Sequence, residues 1–261
     1  MSQIKRKISE KVLFSLKNNP VVFLNGPRQA GKSTLVQKLA LKDFLADYVS
    51  FDNTTQMSAA SSSPESFLSS RKNSMIIDEV QMVPDLFRAL KLVVDDLRIK
   101  DKSNSNGRFL LTGSANILAL PKLSNALVGR MSIKTLYPLA SCEALNGTGN
   151  FLADLFSVNF SNSENPYSLN TAIKSATFPE LVNKESRECN EWFESYLMTL
   201  LQRDVHSIAE IEKIGLLPKL LRLLASRAGN LMNDADISRD MGLNSVTSKS
   251  YRSILQAMFL S

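Results

Sequence analysis

Nine consecutive residues, Gly26-Pro27-Arg28-Gln29-Ala30-Gly31-Lys32-Ser33-Thr34, carry the clearest chemistry in this chain; the first eight fit the pattern G-x-x-x-x-G-K-[ST]. An apolar β-type run, Val21-Val22-Phe23-Leu24, precedes them, and a helix-like stretch from Thr34 to Ala40 follows. A strand, a glycine-bounded loop and a helix N-terminus make an anion cradle. Backbone N–H groups point at phosphate and the helix dipole favours its charge. In that arrangement Lys32 reaches the β/γ oxygens and the Ser33 hydroxyl ligates Mg²⁺. These residues predict a nucleotide site.

Two further clusters fit such a site. Met75-Ile76-Ile77-Asp78-Glu79 is an apolar strand ending in two carboxylates. Ligand chemistry on a parallel sheet sits at the carboxyl ends of strands, which would bring Asp78 beside the loop as a partner of Ser33 in holding Mg²⁺. Glu79, directly after it, is placed to orient a water against the γ-phosphate. That pair favours hydrolysis over transfer to a small acceptor. The run Leu110-Leu111-Thr112-Gly113-Ser114-Ala115-Asn116 ends a strand in polar groups, and Thr112, Ser114 and Asn116 are all candidates for a γ-phosphate sensor. Residue types alone do not choose among them.

Arg130, in Leu127-Val128-Gly129-Arg130 just before the last predicted strand, is either a surface arginine or a finger reaching a neighbouring subunit's γ-phosphate. His206 is the only histidine, which excludes a histidine-based triad or zinc site.

The elements that must position these groups are legible as alternating patterns. Residues 4 to 17 predict an amphipathic helix, with Ile4, Ile8, Val12 (or Leu13) and Leu16 on one side, ended by Asn18-Asn19-Pro20. Besides the strand before the loop, β-type runs fall at 47–51, 74–77, 108–112 and 132–136. A helical stripe of Leu86, Leu90, Val93 and Leu97 spans Asp85 to Arg98. Such alternation predicts an α/β fold, a parallel sheet covered on both faces over about residues 20 to 140. Asn53 to Ser63, polar and serine-rich, reads as a mobile surface loop before a short helix at Pro64 to Ser70. Residues 145 to 170 suit a linker, and the pattern is helical from about Glu188 onward.

Bulk properties set the class. The chain has 261 residues, 44% of them hydrophobic and 21% charged, which describes a soluble globular protein with one α/β domain and a smaller second unit. No apolar run approaches a membrane span, and the stretch Val12 to Leu16 behind Lys5-Arg6-Lys7 is too short for a signal peptide. Cys142 and Cys189 are far apart, which excludes a disulfide framework and makes a reducing cytoplasm the expected location. The net charge of +6 allows nucleic-acid contact without requiring it, because the basic residues are spread along the chain.

Taken together, Gly26 to Leu35, Ile77-Asp78-Glu79-Val80-Gln81, Phe109 to Ser114, and Gly129-Arg130 ahead of Leu136-Tyr137-Pro138-Leu139 resemble the AAA-type P-loop ATPases of bacteria and archaea with a C-terminal DUF4143 region. Phe178-Pro179-Glu180, Tyr196-Leu197 and Gln202-Arg203-Asp204-Val205 are similar to the start of that second region. The resemblance implies an AAA+-like core that uses ATP rather than GTP and depends on Mg²⁺. It implies an ATPase domain at 1–140, a connection at 141–187 and a helical, winged-helix-like segment at 188–261. It departs at Ala176-Thr177, where the family has a glycine pair. Family members continue past the equivalent of Ser261, so a truncated C-terminus is expected here.

Within the last segment, Asn233 to Met241 and Ser245 to Leu260 read as two helices joined by Gly242-Leu243-Asn244, with Asn244 or Ser245 as N-cap. In a DNA-binding version the polar face of the second helix, Ser248, Lys249, Arg252 and Ser253, would meet the groove. A packing module without DNA contact is the other reading. The leading expectation is therefore an ATP-hydrolysing protein, possible as a homo-oligomer, that couples nucleotide state to a DNA or protein partner through this segment. A DNA-binding regulator switched by ATP is the alternative, and a P-loop kinase a third.

Overall fold

The computed structural model describes residues 4–100, 105–114, 127, 129–145, 156, 168–201 and 214–260. Helix α1 (Ile8–Asn18) leads into strand β1 (Val21–Asn25), and helix α2 (Lys32–Lys42) follows the glycine-bounded loop. Strand β2 (Asp47–Ser50), helices α3 (Thr54–Ser62) and α4 (Pro64–Ser69), and strand β3 (Met75–Asp78) come next. Helix α5 (Leu86–Lys100), β4 (Phe109–Gly113) and β5 (Met131–Thr135) complete the sheet region. Short helices α6 (Ser141–Ala144) and α7 (Leu169–Ser175) precede the helical part.

All five strands are parallel, in the order β2-β3-β4-β1-β5. The expected α/β sheet flanked by helices is the fold observed. Strand β1 is buried at every position because it lies inside the sheet, with Val21 level with both Phe109 and Met131. Val22, Leu24, Ile76 and Leu110 form one core with Val12 and Leu16 of α1 and Leu35, Val36 and Leu39 of α2. The alternate residues, Val21, Phe23, Met75, Ile77, Phe109 and Leu111, are equally buried, as a sheet covered on both faces requires.

Three local expectations are corrected. Asn53 to Ser63 is a helix rather than a mobile loop. The Asn53 side chain accepts from the amides of Thr55 and Gln56, which satisfies two of the orphan donors that serine-rich composition would otherwise leave to water, and Ala60 is buried. The first helix begins at Ile8, so residues 4 to 6 are a non-helical lead-in and Arg6 is buried. On α5 the buried row runs through Leu86, Phe87, Ala89, Leu90 and Val94, with Val93 and Leu97 only half-buried.

The chain divides into two compact units. The first comprises residues 1–113 and 130–184 and holds the whole sheet; the second comprises 114–129 and 185–261. In the second, helix α8 (Ser186–Thr199) stacks Trp192 on Tyr196 at 4.8 Å between ring centroids, and helix α9 (Leu217–Ser226) buries Leu217 and Leu220. Helices α10 (Asp234–Met241) and α11 (Ser245–Ala257) are capped by Asn233 and Asn244, whose side chains accept from Ala235 and Thr247. Gly242, at φ +65°, supplies the left-handed turn between them. The last helix stops at Ala257 rather than Leu260, because Phe259 is itself left-handed and the Leu260 amide turns back to the Leu255 carbonyl. Among the described residues no helix is long and apolar enough to cross a membrane.

Candidate nucleotide site

Parallel pairing sets Asn25, Asp78 and Gly113 along one edge of the sheet, since Asn25 is level with Gly113 and Ile77 with Leu111. The loop from Gly26 to Gly31 leaves β1 on that edge. Gly26 has φ +148°, and a Cβ there would stand 2.1 Å from the Leu136 carbonyl oxygen, so only glycine lets the loop pass the chain leaving β5. Gln29 and Gly31 are both left-handed, at φ +61° and +91°. Gly31 occupies the N-cap position of α2 with no side-chain cap, which leaves the first-turn amides of an eleven-residue helix to a bound anion.

Lys32 is buried, and its ammonium donates to the Gly26 and Pro27 carbonyls at 2.9 and 2.8 Å. Burial pushes its pKa down from 10.5 to about 8; Glu79 and Asp78 pull it back up, and Arg28 adds to the lowering. Ser33 and Thr34, half-buried and exposed, occupy the first turn of α2.

Asp78 is 3% exposed, with a hydrogen bond to each of its carboxylate oxygens. The Thr112 hydroxyl donates to Oδ1, and the Tyr48 hydroxyl donates to Oδ2 at 2.7 Å. Tyr48 has its pKa raised to about 12, first by burial and then by that hydrogen bond, so the phenol keeps its proton. Thr112 is fully buried and also accepts the Glu79 amide at 3.3 Å. Glu79 itself sits at φ +57°, an uncommon conformation for a residue with a side chain, and its carboxylate accepts from the Gln81 amide group. Space beside Gly113 is tight: a Cβ would meet the Gln81 Oε1, the movable end of a long side chain, at 2.8 Å and the Phe23 ring at 3.1 Å.

The structure thus brings the loop, Lys32, Asp78, Glu79 and Thr112 to one sheet edge. Of the three sensor candidates, Thr112 is the residue joined to both carboxylate positions. Ser114 lies two residues beyond it, and Asn116 is outside the described residues, as is His206. Arg130 is elsewhere. Its carbonyl accepts from the Val21 amide at the start of β1, one strand length or about 13 Å from the loop end. Its guanidinium forks onto Asp95 of α5 at 2.5 and 2.9 Å, which holds the Asp95 carboxyl below and the arginine above their ordinary ranges.

Arg6, Tyr48 and Gln81 are contacts that residue types did not announce. Arg6 looked like part of a solvated basic cluster, yet it donates to the Ala30 carbonyl at 2.8 Å and the Tyr137 carbonyl at 2.6 Å and pairs with Glu143 at 3.3 Å. The polar face expected on α11 is also used internally. Ser248 is buried, Arg252 pairs with Asp234 at 3.0 Å, and Lys249 faces the same carboxylate at 3.9 Å.

Residues 18–145 match the family model AAA_14, described as an AAA domain, and residues 168–261 match a domain of unknown function, DUF8612. The AAA_14 match takes in the glycine-bounded loop and all five strands of the sheet. The second match is a different region from the DUF4143 expected on the motifs. Two curated relatives, the uncharacterized proteins Mb2031c of Mycobacterium bovis and Rv2008c of Mycobacterium tuberculosis, are 26% identical over 248 residues, 95% of this chain and 50% of theirs. The chain spans about half the length of those relatives. Similar solved structures include the Walker-type ATPase of Pyrococcus abyssi, at 15% identity, 96% coverage of each chain and a TM-score of 0.42. A RuvB variant of Thermotoga maritima matches at 18% identity, 97% of this chain and 87% of that one, with a TM-score of 0.40.

Proposed function

We propose that this chain binds Mg-ATP on the Gly26–Thr34 loop, hydrolyses it, and relays nucleotide state to a macromolecular partner. The observation that carries the reading is Thr112, whose hydroxyl donates to the Asp78 carboxylate and accepts the Glu79 backbone amide, so that β4 holds the Asp78 side chain and the Glu79 main chain at the sheet edge the loop leaves from. The donor set fits a hard divalent ion: Asp78 is a buried carboxylate with both oxygens oriented, and the Ser33 hydroxyl stands on the first turn of α2. Mg²⁺ held there by Asp78 and Ser33 would supply positive charge against the phosphates.

The protein's own groups do the rest. Amides from Gln29 to Ser33 receive the phosphates. Lys32 exchanges the Gly26 and Pro27 carbonyls for phosphate oxygens. Glu79 orients the attacking water, and Gln81 orients Glu79. Thr112 carries γ-phosphate state to β3 and β4. In an assembly of several copies, Arg130 released from Asp95 would serve the neighbouring chain.

Lys32→Ala should abolish binding of a fluorescent ATP analogue. Glu79→Gln should keep that binding and lower turnover by at least about a hundredfold, the ordinary worth of a positioned base. Parental turnover by Glu79→Gln removes Glu79 from its role. The DNA-regulator alternative has little footprint on α11, where Arg252 pairs with Asp234 and Lys249 is the one basic side chain left largely exposed.

A further inference from the structure

Asp78 has two hydrogen-bond donors, and only one comes from the strand ends that build the site. The other, Tyr48, stands on the sheet's outermost strand, β2. The register puts Ser50 opposite Asp78 and Tyr48 opposite Ile76, so Tyr48 lies two residues, about 6.6 Å, back along the strand on the same face. An aromatic side chain is long enough to cover that offset, and the hydroxyl arrives at Oδ2 at 2.7 Å.

Tyr48 is 37% exposed. Its hydroxyl is aimed at the one buried carboxylate of the site.

We propose that Tyr48 is a positioning residue for the divalent ion: its hydroxyl fixes the rotation of the Asp78 carboxylate that Thr112 holds from the other side. This rests on the Mg-ATP reading above. A carboxylate gripped at one oxygen can swing about its Cβ–Cγ bond; gripped at both, it presents its remaining lone pairs in one direction. Partners of this outer kind typically contribute 10–100-fold in metal affinity.

The test is a Mg²⁺ titration of ATP-analogue binding by the full chain, parent against Tyr48→Phe, with analogue affinity in EDTA and the melting temperature measured alongside. Tyr48→Phe is expected to need about tenfold more Mg²⁺ for half-maximal enhancement, with EDTA affinity and melting temperature unchanged. A loss of fold alone would not produce that split. An unchanged Mg²⁺ requirement overturns the proposal. A lowered one overturns it too, because the hydroxyl would then compete with the ion. If Tyr48→Phe does not fold, Tyr48→Leu, which also lacks the hydroxyl, is judged by the same criterion. Failure of the parent chain to bind the analogue under either condition overturns the Mg-ATP reading and this proposal together, whereas binding with an unshifted Mg²⁺ requirement removes Tyr48 alone.

Discussion

The Lys32 ammonium donates to the Gly26 carbonyl at 2.9 Å, so the charge that would meet a phosphate is held by the loop it belongs to. Burial leaves that ammonium with a pKa near 8. A triphosphate beside it would favour the charged form and raise the value again. Binding at pH 8 should therefore take up roughly half a proton, and affinity should fall about tenfold per pH unit above 8. The sign for stability follows from the same shift. The folded value lies below the unfolded 10.5, so the unfolded chain binds more protons between about 8 and 10.5, and the free protein should gain stability as pH rises through that window. Calorimetry in buffers of different ionisation enthalpy reads the proton uptake; identical heats in all of them contradict it.

Gly26 and Leu136 approach so closely that the loop has no room for a methyl group. A Cβ at Gly26 would lie 2.1 Å from a backbone oxygen, in a conformation that side-chain-bearing residues rarely adopt. Gly26→Ala should therefore cost about 2–5 kcal/mol, combining overpacking with backbone strain, and should remove analogue binding. Gly215, whose Cβ position is open, is the comparison: Gly215→Ala should leave the denaturation midpoint nearly unchanged. Equal midpoints for the two variants would show that the loop can step aside.

The position of the carboxylates was legible because an apolar run ending in Asp78-Glu79, ambiguous by itself, follows the phosphate loop in sequence and so ends on the same edge of a parallel sheet. Thr112 was visible only as one of three, since choosing it needs the register that sets β4 beside β3. Arg6 was hidden altogether. A basic residue among lysines reads as solvated, and its partners Ala30 and Tyr137 lie 24 and 131 positions away. Tyr48 was hidden for the same reason: its phenol looks like strand filler until β2 is laid next to β3. Composition misled at Asn53 to Ser63, where one capping side chain outweighs a serine-rich stretch. On α11 the helix was legible, but the pairing of Arg252 with Asp234 was not, because Asp234 sits on another helix.

Arg130 and Asp95 make a testable pair because Arg130 lies at the sheet edge away from the loop. It cannot serve its own site. If it serves a neighbour, turnover per chain should rise with protein concentration in the parent and stay flat in Arg130→Ala. The partly exposed pair should itself contribute little, about 0–1 kcal/mol, so the melting temperature of Arg130→Ala should barely move. Turnover independent of concentration in both proteins rules out the finger.

Arg6 and Glu143, whose side chains are 9% and 8% exposed, fasten the lead-in segment to the back of the phosphate loop. The guanidinium donates to the Ala30 and Tyr137 carbonyls and stands 3.3 Å from the Glu143 carboxylate as a charge pair. Arg6→Ala leaves a buried loop carbonyl and a nearly buried carboxylate without that donor, and breaking such a pair from one side typically costs about 3–5 kcal/mol. Arg6→Lys restores the charge but not the fork, so it should recover only part of the loss. Glu143→Gln should be milder than Arg6→Ala, because its side-chain oxygen can still accept from the Lys7 or Ala140 amide. The loop carbonyl at Ala30 precedes the glycine that starts α2, so analogue affinity should fall in the same order as stability. Chemical denaturation and analogue titration on the three variants read the two quantities separately. Parental values for Arg6→Ala in both would mean that the loop holds its shape without the clasp.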